Sequence, residues 1–243
     1  MMEWRDEGIV LAAKPHGESA ALLTLFAARE GRFSGIVRGG TSQRMSPHLQ
    51  PGGQVAAVWK ARLGSHIGSF TIEPIRSRAA LYSDAPALAA LSSSAALLQL
   101  LLPERAPHPQ LWQQSLSLLD QLGRPGWQSA YLRWECQLLE QSGYGLDLTS
   151  CAVTGSSDDL AYVSPRTGRA VSRAGAGDWA GRLLILPPAL AGGTGIPAAD
   201  LPLALQLTGH FLARALAESG QSRPLPEARQ RLAGYFARAA GGS

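Results

Sequence analysis

Cysteine is nearly absent from this chain. Its 243 residues hold two, Cys136 and Cys151. They have no second pair beside them, so neither a disulfide framework nor, on their own, a zinc site can be assembled. Such sparing use fits a reducing compartment. Lysine is scarce too: Lys14 and Lys60 are the two among 22 basic residues, and the rest are arginine. Together with the abundant Ala and Gly, this is the mark of GC-rich coding rather than of selection for bidentate contacts. Long apolar runs are missing. The longest, Ala85 to Leu102, is interrupted by Ser92-Ser93-Ser94 and Gln99 and is too short and mixed to span a bilayer. The opening MMEWRDEG has no apolar core and does not read as a signal peptide. The expectation is a soluble, cytoplasmic protein with no membrane partner.

Catalytic signatures are equally scarce. No P-loop, dinucleotide glycine fingerprint, His-x-x-x-His pair or Gly-x-Ser-x-Gly elbow occurs. The histidines at 16, 48, 66, 108 and 210 are scattered, and Asp158-Asp159 reads as a solvated loop pair. Gly192-Gly193-Thr194-Gly195 follows Pro187-Pro188 rather than a strand, so it signals a loop only. Nothing here proposes an enzyme, and no cofactor is expected.

What is present is an uneven charge. The net charge is +4. Residues 1–80 carry ten Lys/Arg against six Asp/Glu, while residues 81–243 carry twelve of each. The whole excess therefore lies in the N-terminal third, and an anionic partner is expected there. The segment Arg29 to Gln50 concentrates it. Phe33 to Val37 reads as a strand, running through Arg38-Gly39-Gly40 into a polar loop with Arg44.

Four more strands are expected around it: Gly8 to Lys14, Ala20 to Phe26, Val55 to Ala61 and Ser65 to Glu73. Five short strands with no helical period indicate a small barrel, and an OB-fold is the simplest candidate. It would offer a strand face and loops to single-stranded nucleic acid. Arg29, Arg32, Arg38, Arg44, Lys60 and Arg62 are the candidate DNA contacts, as a group. Strand alternation points Lys60 and Arg62 the same way.

From about Leu81 the period changes to three and four. Leu88, Leu91, Ala95, Leu98 and Leu102 share one helix face. Leu111 to Leu122 marks a second helix, and Trp127, Tyr131, Trp134 and Leu138 form the core stripe of a third. Residues 144–200 are irregular, with short strand candidates at Leu160 to Ser164 and Ala170 to Ser172. Leu203 to Leu216 and Pro224 to Ala239 close the chain as helices. The fold class is thus mixed α+β. The expected division is a nucleic-acid-binding barrel at 1–80 and a mainly helical domain at 81–243.

Several stretches, in this order and spacing, resemble the bacterial recombination mediator family RecO. They are Glu7-Gly8-Ile9-Val10-Leu11 with Gly17-Glu18-Ser19, and Leu22 to Phe26 with Glu30-Gly31. Val37-Arg38-Gly39-Gly40 follows, with Leu49-Gln50-Pro51-Gly52. Further on come Arg133 to Leu139 with Gly143-Tyr144, then Cys151, and last Pro224 to Arg229. The resemblance implies an N-terminal OB-fold and a helical domain, often with a zinc module held by two Cys-x-x-Cys pairs. Here Cys151 remains, but Thr154, Ser172 and Gly175 stand where the other ligands would be. One thiolate cannot hold a structural zinc. No metal is expected, and 148–182 reads as a degenerate module whose small irregular strands replace it.

The resemblance further implies binding of single- and double-stranded DNA, annealing of complementary strands, and help in loading recombinase onto DNA coated with single-strand-binding protein. The implied partners are RecR and the tail of single-strand-binding protein, and the implied location is the nucleoid. Arg133 matches the basic residue of the family's Arg-x-Glu helix motif, beside which the acidic, apolar-ended tail would dock. Pairing of Arg133 with a carboxylate near Glu135 or with Glu140 is the plainer alternative. An OB-fold protein acting on RNA, and an enzyme with a site in the 187–200 loop, are the competing readings.

Overall fold

A computed structural model describes residues 2–63, 67–191, 195–220 and 224–241. The Gly192-Gly193-Thr194 stretch and His66 lie outside the described residues. The chain forms two compact units, residues 1–123 and 124–243.

In the first unit five strands close a barrel: β1 (Met2–His16), β2 (Ala20–Ala27), β3 (Gly31–Val37), β4 (Gln54–Ala61) and β5 (Gly68–Arg76), in the order β1-β2-β3-β5-β4. All neighbours are antiparallel except β3 and β5, which pair in parallel at Gly35↔Gly68. This is a five-stranded OB-like barrel. β1 is longer than the expected Gly8 to Lys14. Its first half pairs with β4 and its second with β2, with a register shift between Val10 and Ala12. Such a bulge lets one strand bend from one side of a barrel to the other. The charges of the first half obscured it. Half-buried Trp4 and Asp6 alternate with exposed Glu3, Arg5 and Glu7, which is strand periodicity written in polar residues.

Alternation fills the barrel. Val55, Ala57, Trp59 and Ala61 of β4 point inward, as do Phe70 and Ile72 of β5. Trp4, Phe33, Trp59 and Phe70 meet at its centre. Trp4 stacks on Trp59 at 6.1 Å, and Phe33 meets both edge-on at 5.1 and 5.3 Å. Gly68 lets β5 begin against this cluster, since a Cβ there would lie 2.3 Å from the Trp59 ring. Ile67, within the expected strand Ser65 to Glu73, precedes β5 and is exposed.

Two helices complete the unit. α1 (Ala85–Leu101) starts at Asp84, whose carboxylate accepts the Ala87 N–H at 3.0 Å. It is buried nearly all round, and Ser94 turns its hydroxyl onto the Ala90 carbonyl. α2 (Pro109–Gln121) reaches the barrel through Trp112, whose indole N–H donates to Phe26 O at 3.1 Å. At the exit of β5, Arg76 and the buried Arg78 both pair with Asp120 of α2. The change from strands to helices falls between Arg76 and Ala85, whereas the compact units part after Gly123, because α1 and α2 belong with the barrel.

The second unit has α3 (Trp127–Gln141), a small sheet of β6 (Leu160–Val163), β7 (Ala170–Ser172) and β8 (Leu184–Ile185) in the order β7-β6-β8, the single turn α4 (Arg173–Ala176), and the long helices α5 (Leu201–Glu218) and α6 (Glu227–Gly241). Trp127, Tyr131, Trp134 and Leu138 of α3 are all buried, as their spacing required. Among the described residues no helix is long and apolar enough to cross a membrane.

Candidate nucleic-acid interface

The basic residues of the barrel are spread over several elements. Arg29 lies in the β2–β3 turn and Arg32 in β3, Arg38 and Arg44 lie in the stretch after β3, and Lys60 and Arg62 lie at the end of β4 and just beyond it. Across the sheet Lys60 faces Glu3 of β1 and Ser69 of β5.

Their surroundings divide them further. Arg32 is 18% exposed; its Nε donates to Leu102 O at 2.9 Å and its Nη1 pairs with Glu104 at 3.2 Å. It joins β3 to the segment between α1 and α2. Next to it Gly31, at φ +76°, brings the turn so close that a Cβ would sit 2.0 Å from Ala106 O. Arg29 is exposed but tied to Asp6 at 3.3 Å and to Arg5 O at 2.7 Å. Lys60 points outward from β4 and pairs with Glu3 at 3.1 Å. Arg38, Arg44 and Arg62 are exposed and, among the described residues, make no ion pair.

The loop carrying Arg44 is held at both ends. It departs beside the β1–β2 turn, where Thr41 N–H donates to Ser19 O at 3.2 Å. It returns along β1, where Gly52 N–H donates to Val10 O at 2.8 Å. Between them Leu49 is sunk in the barrel core. Lys14, absent from the six, is exposed near the end of β1 and borders a cleft with Gly40 and Thr41 under this loop. Its position just before the Pro15-His16-Gly17 turn was the available signal. Exposed cations without carboxylate partners are free to meet phosphate oxygens.

Among the described residues of the barrel no Trp, Tyr or Phe is exposed: Phe26, Phe33, Trp59 and Phe70 are buried and Trp4 is half-buried. Cations with no such ring beside them suit the phosphate backbone rather than the faces of bases.

In the second unit Cys151, Thr154, Ser172 and Gly175 come together. The buried Cys151 Sγ receives the N–H groups of Val153 and Thr154 at 3.4 Å and of Ser172 at 3.2 Å, and the Ser172 hydroxyl at 3.3 Å. A Cβ on Gly175 would lie 2.8 Å from the same sulfur. This has the shape of a metal knuckle, but one thiol, two hydroxyls and a glycine do not fit zinc. Among the described residues no three His, Cys, Asp or Glu gather to hold a metal. Burial would raise the Cys151 thiol. The hydroxyl and N–H of Ser172, with those of Thr154, outweigh it and bring the value down to about 6. Cys136 behaves oppositely, pushed up to about 12 by burial and by the charge of Glu135.

Arg133 lies exposed on α3 and makes no ion pair among the described residues. Neither carboxylate of the plainer alternative takes it: Glu135 is fully buried with Arg229, and no pair to Glu140 forms. Arg133 edges a groove of about 910 Å³ within this unit, floored by Leu146, Leu148, Leu160, Leu190 and Ile196. Those leucines lie in the irregular region, where no periodicity could have announced them.

Two family models match the chain, Recombination protein O N terminal over residues 1–78 and Recombination protein O C terminal over residues 82–224. A DNA repair protein RecO of Cereibacter sphaeroides is 57% identical over 239 residues, covering 98% of this chain and 100% of that one. The DNA repair protein RecO of Roseobacter denitrificans is 54% identical over 239 residues, covering 98% and 99%. That of Dinoroseobacter shibae is 50% identical over 241 residues, covering 98% and 100%.

Proposed function

The chain belongs to the RecO family of DNA repair proteins, and from that premise we propose that it serves repair and recombination as a strand-annealing mediator. It holds single- and double-stranded DNA by the phosphate backbone, pairs complementary strands, and helps recombinase onto DNA coated with single-strand-binding protein. The observation that carries this reading is the set of exposed cations Lys14, Arg38, Arg44 and Arg62, which make no ion pair among the described residues, on a barrel whose large aromatic rings are buried or half-buried. Annealing requires that a strand be gripped while its bases remain free to pair. Backbone contacts without stacking satisfy both demands.

RecR and the tail of single-strand-binding protein are the partners of this reading. An acidic tail with an apolar end suits the Arg133 groove by charge at its edge and leucines on its floor. Annealing of complementary oligonucleotides, bare and coated with single-strand-binding protein, tests the function. Acceleration by the purified protein in both cases is expected. A rate equal to that of the spontaneous reaction would overturn the reading.

A further inference from the structure

Five of the six tryptophans are buried or half-buried, and the sixth, Trp179, is 63% exposed. A tryptophan left this open is unusual, because burying its large apolar surface is favourable. It lies on a short 3-10 segment, Gly177–Arg182, in the second unit. The segment does not hang free: Ala180 and Leu183 pack against the small core of Cys151, Val171 and Ala176, and Leu183 N–H donates to Ala180 O at 3.2 Å. The guanidinium of Arg182 sits over the Trp179 ring at 4.9 Å from its centroid, and Arg182 has no carboxylate partner among the described residues. The ring is therefore held in place, bears a cation on one face, and leaves most of its area to solvent.

We infer that Trp179 and Arg182 form a base-stacking contact for single-stranded DNA. A planar ring backed by a guanidinium stacks any base, and the same guanidinium meets the adjoining phosphate. Among the described residues of the barrel no Trp, Tyr or Phe is exposed, so this pair supplies a preference for unpaired strands that backbone contacts alone do not give. One stacked nucleotide still leaves its neighbours free to pair. This inference rests on the DNA-binding reading above, and the test separates the two.

The full chain and its variants Trp179→Ala, Trp179→Phe and Arg182→Gln are titrated with a labelled oligo(dT) strand and with a duplex. Intrinsic tryptophan emission is followed with unlabelled oligo(dT). Trp179→Ala is expected to weaken single-strand binding about tenfold or more, the effect of removing one stacked base, and to leave duplex binding unchanged. Trp179→Phe keeps most of the single-strand affinity, Arg182→Gln falls between, and quenching of the wild-type emission by oligo(dT) is lost in Trp179→Phe. Wild-type single-strand affinity in Trp179→Ala, equal losses for strand and duplex, or quenching that persists in Trp179→Phe would overturn the inference while DNA binding stands. Failure of the wild type to bind either DNA would overturn both.

Discussion

Glu135 and Arg229, 94 residues apart, form a buried ion pair that joins α3 to α6. The carboxylate also accepts the hydroxyls of Tyr131 at 2.7 Å and Thr208 at 2.5 Å, and the guanidinium donates to Leu205 O at 2.8 Å. Three helices thus meet on one hydrogen-bonded charge pair. Removing one partner strands the other in the core. Glu135→Ala or Arg229→Ala should cost about 3–5 kcal/mol, read from urea unfolding. Replacing both with Leu and Met should recover most of that loss. A single variant as stable as the wild type would refute the role assigned to the pair.

Arg32 and Arg38 are six positions apart and should behave in opposite ways. Arg32 is engaged by Leu102 O and Glu104, so Arg32→Ala should lower stability by about 1–2 kcal/mol and leave DNA affinity nearly intact. Arg38→Ala should do the reverse. Parallel unfolding and binding measurements decide, and a loss of DNA affinity in Arg32→Ala without loss of stability would contradict the assignment.

The Arg133 groove predicts a charge-sensitive peptide site. Arg133→Glu should weaken a synthetic tail peptide of single-strand-binding protein about tenfold, and more steeply at low salt, as expected for a charge at the edge of an interface. Titration by anisotropy measures it. Unchanged affinity at low salt would remove Arg133 from the site.

Cys151 should make stability depend on pH. Its folded value, about 6, lies below the roughly 8.5 of a free thiol, so the folded state favours the thiolate. The contribution is fully present above the unfolded value and is lost as pH falls through the folded one. Between pH 9 and pH 6 the wild type should therefore lose more unfolding free energy than Cys151→Ala. Parallel pH profiles would show that the sulfur is not held as a thiolate.

Much of this architecture was legible in the sequence because it follows from periodicity. Period two located β2, β3 and β4, and the stripe of Trp127, Tyr131, Trp134 and Leu138 located α3. Where charge overlay the pattern, as in Met2 to Glu7, half a strand went unread. The candidate site was less legible, because a cation's role depends on what faces it. Nothing near Arg32 in sequence announces Leu102 O, and nothing near Lys60 announces Glu3. The resemblance placed Thr154, Ser172 and Gly175 beside Cys151, where they converge on its sulfur. It gave no hint of Trp179, whose exposure is a matter of tertiary packing alone.

The proposed DNA binding rests most directly on the barrel's exposed cations Lys14, Arg38, Arg44 and Arg62, which make no ion pair among the described residues. The measurement is single-strand affinity across a salt series for the wild type and for Arg38→Glu/Arg44→Glu/Arg62→Glu. Removing one cation from its phosphate should reduce the salt slope by about 0.7 for a single strand, so the triple variant should bind weakly and with a slope lower by about two. Wild-type affinity and slope in the triple variant would contradict the claim that these cations hold DNA.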